Sequence, residues 1–176
     1  LNDQRQVIFS QRKKAMDSNK IFDYSGQFLN EIIDGLITLK IKKSSNPNNN
    51  EFDNQLKTIF GKSLNEEEYK ELISLKDNEL RDKITQKFNF SRNARSEVLN
   101  EAQSKEIEKR ILLQSIDFNW KSHIQYLEQL RQVIGLRSYG QRDPLIEYKK
   151  EAFGLFESLL EKLKRDFIAI LMNLKI

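Results

Sequence analysis

Apolar side chains recur every three or four positions along two long stretches at the C-terminal end of the chain. The first stretch covers residues 113–134 and the second covers residues 145–174. This spacing places the side chains on one face of an α-helix, and the short segment between the stretches brings the two faces together. The pattern therefore predicts a long antiparallel helical hairpin. Its predicted seam contains Leu113, Ile116, Trp120, Ile124, Leu127, Leu130 and Ile134 on the first helix, and Leu145, Tyr148, Ala152, Leu155, Leu159, Leu163, Phe167, Ile170 and Leu174 on the second.

Residues at the turn of this hairpin have the chemistry of helix ends. Gly135 follows the last apolar position of the first helix, where glycine commonly ends a helix. Asp143 fits the N-cap of the second helix, because its carboxylate can accept hydrogen bonds from free backbone amides. Pro144 fits the first helical position, where its missing amide costs nothing. The sequence therefore predicts a tip at residues 136–143.

The same periodicity, in shorter runs, predicts helices in the first half of the chain. A basic helix is predicted to end near residue 16, and an amphipathic helix is predicted to begin at Ile21 and include Leu39. Residues 42–50, KKSSNPNNN, have no apolar side chain to bury and favour local hydrogen bonds. They are predicted to form an exposed loop.

Three more helices are predicted between this loop and the hairpin. Residues 52–60 have helical spacing, and the glycine that follows them is a suitable cap. Asn65 and Glu68 have the spacing of a capping box, which predicts a short helix after them. Another helix is predicted to open near residue 77, and the polar residues 91–106 are expected to stay helical.

Composition favours an all-α fold. The 176 residues include two prolines and six glycines, too few for the turns of a many-stranded sheet. Hydrophobic residues make up 38% and charged residues 32%, which predicts an elongated shape with a modest core. The absence of cysteine excludes disulfides, thiolate metal sites and cysteine nucleophiles. Since the first residue is Leu1, we expect the chain to be a piece of a longer protein.

The turn of the hairpin is basic. Residues 131–150 contain five basic and two acidic residues, a net charge of +3. With Tyr139 exposed at the tip, a stiff hairpin of this kind suits insertion into an acidic or carbonyl-lined partner. An ordinary solvated helix turn can carry the same charge, so the pattern by itself leaves both interpretations open.

Catalytic and nucleotide-binding motifs are absent from the sequence. No glycine has the spacing of a phosphate-binding loop. His123 is the single histidine, so it cannot form a histidine metal cluster, and we expect it to pack beside Trp120. Three consecutive glutamates, residues 66–68, point in different directions on a helix and predict a solvated first turn rather than a metal site. Nucleic-acid binding is a weak alternative, because the net charge of +4 is small and no stacking platform accompanies it.

The hairpin sequence closely resembles the C-terminal helical region of the SecA family, the ATPase motors of bacterial preprotein export. The resemblance extends over residues 111–167, and residues 2–14, NDQRQVIFSQRKK, resemble the end of that family's long scaffold helix. The intervening residues fall where the family has its helical wing domain. The matching hairpin positions are Trp120, His123, Leu127, Leu130-Arg131, Leu136-Arg137, Tyr139, Gln141, Asp143-Pro144 and Glu147-Tyr148-Lys149.

This resemblance implies a division of the chain into three segments. Residues 1–17 would be the end of the long scaffold helix, residues 18–105 the inserted helical wing, and residues 106–176 the scaffold hairpin, called the two-helix finger. The implied channel- and preprotein-contacting tip consists of Arg137, Tyr139, Gln141 and Arg142. The residues implied in hairpin packing and regulation are Trp120, His123, Leu127, Leu130, Asp143, Pro144 and Tyr148.

The resemblance also implies partners and a location. The finger would contact the SecYEG channel, an unfolded preprotein and the ATPase domains of the same parent chain, and it would restrain idle ATP turnover. The fragment itself is expected to be non-catalytic and to hold no cofactor, since the parent's ATP with Mg and the zinc of its C-terminal tail belong to other segments. A cytoplasmic, peripheral location at the inner face of the bacterial plasma membrane is implied. Uncovered apolar surface makes self-association of the fragment an expectation, and no specific nucleic acid is expected as a partner.

Overall fold

The computed structural model describes residues 2–136 and 143–174, which form α-helices joined by short connections. No strand occurs within these two ranges, so the all-α prediction is confirmed. Single turns of 3-10 helix at Ser18–Lys20 and Gly61–Ser63 precede and follow helices of the first half. The helices are α1 (Asn2–Ala15), α2 (Ile21–Ser45), α3 (Glu51–Phe60), α4 (Glu66–Ser74), α5 (Asp77–Leu99), α6 (Glu101–Ile134) and α7 (Pro144–Asn173).

Helices α6 and α7 form the predicted antiparallel hairpin. They have 34 and 30 residues, so each is on the order of 50 Å long. Near the tip, Ile134 of α6 and Ala152 of α7 belong to one buried cluster. Farther from the tip, the Trp120 and Phe156 rings lie edge to face with their centroids 6.4 Å apart. With increasing distance from the tip, the residue numbers of the contacts fall on α6 and rise on α7, so the two helices are antiparallel.

A single main core joins the base of the hairpin to the other helices. It contains Ile8 of α1, Phe28 of α2, Ile116 of α6 and Phe167 of α7, together with the buried faces of α3, α4 and α5. The Phe28 and Phe167 rings meet edge to face, with centroids 6.1 Å apart. This core contains side chains from all three segments that the resemblance implies, and the boundaries at residues 17 and 105 stay predictions.

Several helix ends form as their sequences predict. The Asn65 side chain accepts a hydrogen bond from the Glu68 amide at 2.8 Å, and the Glu68 side chain accepts one from the Asn65 amide, which confirms the capping box. Gly61 ends α3 with a φ of +50°, a conformation that glycine adopts without steric cost. Asp143 caps α7 by accepting from the Leu145 amide at 3.0 Å.

One prediction about the connections is wrong, and another fails at a single residue. The exposed loop is shorter than residues 42–50, because α2 continues to Ser45 and its last turns place charged and hydroxyl side chains in solvent. The polar stretch 91–106 is helical as predicted except at Asn100, whose φ of +70° separates α5 from α6. The two helices fold back on each other at this residue, and Arg92 and Glu108, eight residues to either side of Asn100, form an ion pair.

The predicted seam of the hairpin is also wrong at two positions of α7. Leu145 is 59% exposed and Ile170 is 45% exposed. The buried face of α7 runs through Phe156 and Leu171 instead. Leu145 stands in the first turn of α7, outside the buried cluster of the hairpin. Around Ile170, the main core covers the neighbouring face of α7, which carries Ile168, Leu171 and Met172.

We expect Asn100 to be sensitive to substitution by alanine. Its side chain accepts a hydrogen bond from the Gln103 amide at 2.9 Å, and its positive φ disfavours residues with a Cβ. Asn100→Ala should lower the free energy of unfolding by about 1–2 kcal/mol, measured by urea denaturation. Asn100→Gly should lower it less, because glycine adopts positive φ freely. An equal or larger loss with glycine would contradict this explanation.

Candidate functional site

The apolar seam in the distal half of the hairpin is formed by α6 and α7. Leu127, Leu130 and Ile134 of α6 are buried against Ala152 of α7, and the half-buried Tyr148 packs on the same cluster. No side chain from α1 to α5 belongs to this cluster. Packed apolar seams resist bending, so this part of the molecule is a stiff two-helix projection.

An aromatic cluster lies where the projection meets the rest of the molecule. The His123 ring is 5.6 Å from the Trp120 ring and 5.7 Å from the Phe156 ring, measured between centroids. His123 is buried and Trp120 is half-buried. The expectation that His123 packs beside Trp120 is confirmed, and the cluster fills the space between the two helices at this level.

The N-terminal helix α1 braces both hairpin helices at the same level. Gln4 donates a hydrogen bond from Nε2 to the Ala152 carbonyl oxygen at 3.2 Å, and its Oε1 lies 2.8 Å from His123 Nε2. Because Gln4 Oε1 can only accept, His123 carries its proton on Nε2. Two turns farther along α1, Arg12 makes a bidentate pair with Asp117, with distances of 3.0 and 3.1 Å. The brace therefore links α1, α6 and α7 at the start of the projection.

Burial lowers the pKa of His123 from its ordinary value of 6.5. A histidine whose folded-state pKa is lowered stabilises the fold above its unfolded-state pKa, and this stability decreases as the pH falls. We therefore expect the free energy of unfolding to decrease below about pH 6.5 and to level off once the pH passes the folded-state pKa.

This pH dependence can be assigned to one residue, because His123 is the only histidine of the chain. Urea denaturation between about pH 7.5 and pH 5.5 should show the decrease in wild type. In His123→Gln the decrease should be absent. An unchanged pH dependence in this variant would show that other groups cause it.

A buried charge cluster holds the base of the hairpin. Glu108 of α6 is fully buried, and both of its oxygens accept hydrogen bonds from Arg92 of α5, at 2.8 and 2.9 Å. The Ser25 hydroxyl of α2 donates to the same carboxylate at 2.8 Å. Arg95 of α5 lies 3.5 Å from it and donates to the Leu171 carbonyl oxygen of α7 at 3.2 Å. Helices α2, α5 and α6 thus meet at one carboxylate, and Arg95 links this cluster to α7.

The two arginines of this cluster differ in their surroundings. The Arg92 guanidinium also stacks on the rings of Phe22 and Phe88, with its Cζ 4.1 and 4.7 Å from their centroids. Burial lowers the pKa of Arg95, and the charge of Glu108 opposes that effect. Sequence reasoning missed this cluster, because Arg92 and Arg95 stand in a polar stretch that looks like solvated surface.

A second polar link crosses the hairpin itself. Asn119 of α6 is buried and donates to Asp166 of α7 at 3.2 Å, while Lys162 donates to both of them at 3.1 and 2.8 Å. This link lies on the base side of the aromatic cluster. Together with the apolar seam, it fixes how α6 and α7 are aligned along their length.

The proposed tip residues Arg137, Tyr139, Gln141 and Arg142 lie outside the described residues. The helix ends beside them are described, and large apolar side chains are exposed there. The exposed set near the tip is Val133, Leu136, Leu145, Ile146 and Phe153. Exposed apolar groups of this density commonly mark a contact surface.

Within residues 2–136 and 143–174, no group of three or more acidic or histidine side chains is placed to hold a metal ion. Within the same ranges, no helix combines the length and apolar character needed to cross a membrane.

A known protein family matches almost the whole sequence. The description of the family is "SecA Wing and Scaffold domain", and the match covers residues 1–175. The chain belongs to this SecA family. The resemblance inferred from the hairpin and the N-terminal helix is thereby confirmed.

Relatives of known name agree with this assignment. The chain is 66% identical over its full length to the "Protein translocase subunit SecA" of Pelagibacter ubique, of which it covers 21%. It is 35% identical over its full length to the protein of the same name from Caulobacter vibrioides, of which it covers 19%. The chain thus spans about a fifth of the length of these SecA proteins.

Proposed function

We propose that this chain is a non-catalytic module that couples the ATPase cycle of a SecA motor to the movement of a preprotein through the SecYEG channel. The hairpin would enter the cytoplasmic mouth of the channel, and the same contacts would restrain ATP turnover when no preprotein is present. ATP with Mg would bind the ATPase domains of the parent chain. The module would act at the inner face of the plasma membrane, as a peripheral protein.

The observation that carries this proposal is the two-helix projection with a braced base. A displacement at the base reaches the tip only if the projection does not bend, and the seam of Leu127, Leu130, Ile134 and Ala152 provides that stiffness. Gln4 and Arg12 connect α1 to the projection where it leaves the main core. Movement of α1 relative to the core would therefore be transmitted to the hairpin.

The surroundings of the tip support contact with an unfolded polypeptide. Leu136 is 70% exposed and Ile146 is 63% exposed, on either side of the tip segment. Apolar and aromatic groups bind extended chains with little sequence preference, which a motor for many preproteins needs. We propose that Tyr139, with Arg137, Gln141 and Arg142, completes this contact surface.

The tip proposal is tested in a full-length SecA motor that contains this chain. Tyr139→Ala should lower the rate of preprotein transport several-fold, because the tip loses its ring, and it should leave the thermal unfolding temperature unchanged. Tyr126→Ala serves as the matched control, since Tyr126 is exposed on helix α6 of the same hairpin, away from the tip. Equal transport by wild type and Tyr139→Ala would contradict the proposed role.

The regulatory part of the proposal has a separate test. Addition of the isolated chain to a motor that lacks it should lower the ATP turnover of that motor. Unchanged turnover would contradict the restraint. Binding of the chain to RNA with a steep salt dependence, and no effect on the motor, would favour the alternative of a structural adaptor or nucleic-acid-binding module.

A further inference from the structure

A groove of about 600 Å³ lies between α2, α3 and α7. It is at the base of the hairpin and away from the two-helix projection. This volume is in the range of ligand-binding clefts. Its floor is apolar and its rim is charged. The floor is lined by Ile32, Leu36, Leu39, Ile59 and Leu160, and the rim by Glu31, Lys42, Gln55, Glu161, Lys164 and Arg165.

The shape of the groove matches a short helix. Its lining residues on α2 run from Glu31 to Lys42 on one helix face, a distance of about 16 Å at 1.5 Å per residue. That length corresponds to about three turns of a second helix laid alongside. Gly35 lies in the middle of the α2 wall, and a Cβ added there would meet no atom within 4 Å. The glycine therefore leaves open space, into which the backbone of a bound segment can approach closely.

The charges at the rim favour an acidic occupant. Lys164 forms an ion pair with Glu31. Lys42 and Arg165 have no ion-pair partner within residues 2–136 and 143–174, and Glu161 is the rim carboxylate without a partner in those ranges. Two cationic side chains and one carboxylate on the rim are thus free to contact a bound segment.

We propose that this groove binds a short, acidic, amphipathic helix of a partner protein. The apolar face of that helix lies on the floor of the groove, and its carboxylates contact Lys42 and Arg165. This is the helix-in-groove mode of recognition, in which apolar anchors recur at positions i, i+3, i+4 and i+7. The proposal concerns a different surface from the hairpin tip, so either can fail without the other.

The test uses the 176-residue chain and a synthetic fluorescein-labelled peptide about three to four helical turns long. The peptide has leucine at the anchor spacing and glutamate beside it. A matched peptide has lysine in place of every glutamate. Fluorescence anisotropy should show binding of the glutamate peptide and at least tenfold weaker binding of the lysine peptide.

A substitution that fills the groove should block this binding. Gly35→Leu places a side chain in the open space, and it should weaken binding of the glutamate peptide at least tenfold. Gly26→Leu is the matched control, because Gly26 lies in the same helix, also has open space around an added Cβ, and does not line the groove. Both changes introduce a better helix former, and circular dichroism checks that the helical content is retained.

The charge assignment is tested by reversing the two cations. Lys42→Glu combined with Arg165→Glu should weaken binding of the glutamate peptide and strengthen binding of the lysine peptide. The proposal is overturned if wild type binds both peptides equally, or if Gly35→Leu binds the glutamate peptide as wild type does. Two further outcomes would overturn it, each combined with no binding of the glutamate peptide. One is binding of phosphatidylglycerol vesicles that Gly35→Leu abolishes, and the other is self-association of the chain that Gly35→Leu abolishes.

Discussion

Glu108→Gln is expected to lower the free energy of unfolding by about 3–5 kcal/mol. The substitution keeps the shape of the side chain but removes the negative charge between Arg92 and Arg95. Both arginines are largely shielded from water, with side-chain exposures of 12% and 4%. Removal of one partner from a buried ion pair is strongly destabilising, because the remaining charge is left without compensation. Urea denaturation monitored by circular dichroism measures the change.

Glu71→Gln is the matched control for this experiment. Glu71 forms an ion pair with Lys83 at 3.5 Å, and both side chains are 52% exposed. Water screens exposed pairs, so this variant should change the free energy of unfolding by less than about 1 kcal/mol. If Glu108→Gln were no more destabilising than Glu71→Gln, the buried cluster would not be the anchor of the hairpin base.

Phe167→Ala should lower the free energy of unfolding by a similar amount, about 3–5 kcal/mol. Phe167 is fully buried and meets the Phe28 ring edge to face. Its truncation removes buried apolar area and leaves a cavity between α2 and α7, and packed interiors close such cavities only in part. Urea denaturation again gives the size of the loss.

The matched control for Phe167→Ala is a phenylalanine-to-alanine substitution at an exposed position of the same helix. Phe153 lies on α7 and is 62% exposed, so Phe153→Ala should change the free energy of unfolding by less than about 0.5 kcal/mol. If the tip surface contacts a preprotein, Phe153→Ala in a full-length motor should lower the rate of preprotein transport although it leaves the free energy of unfolding nearly unchanged. Equal stability losses would contradict the placement of Phe167 in the core.

Local sequence signals predicted much of this fold. The long helices of the hairpin follow from the spacing of their apolar residues, and the Asn65 and Asp143 caps follow from side chains that bond to amides two or three residues away. Each of these signals needs only neighbouring residues, so the sequence alone contains it. The family was recognised in the same way, from an ordered set of residues along the hairpin.

Errors occurred where local signals were ambiguous. Lys42 and Lys43 extend α2 although they belong to a polar run, because lysine is a good helix former and needs no apolar partner at a solvated helix end. Asn100 ends α5 within a stretch of high helix propensity, because a single residue at positive φ lets α5 and α6 fold back on each other.

The sequence by itself determined most of the helices, the Asn65 and Asp143 caps and the pairing of α6 with α7, because a periodicity of 3.6 residues and short-range hydrogen bonds are properties of neighbouring positions. Only the tertiary structure decided that Glu108 meets Arg92, Arg95 and Ser25, that Gln4 meets His123 across 119 positions, and that Gly35 opens into a groove. These contacts depend on how helices distant in sequence are rotated and aligned against each other. No periodicity records that alignment, because many rotations bury nearly the same apolar area and differ only in which polar groups come together.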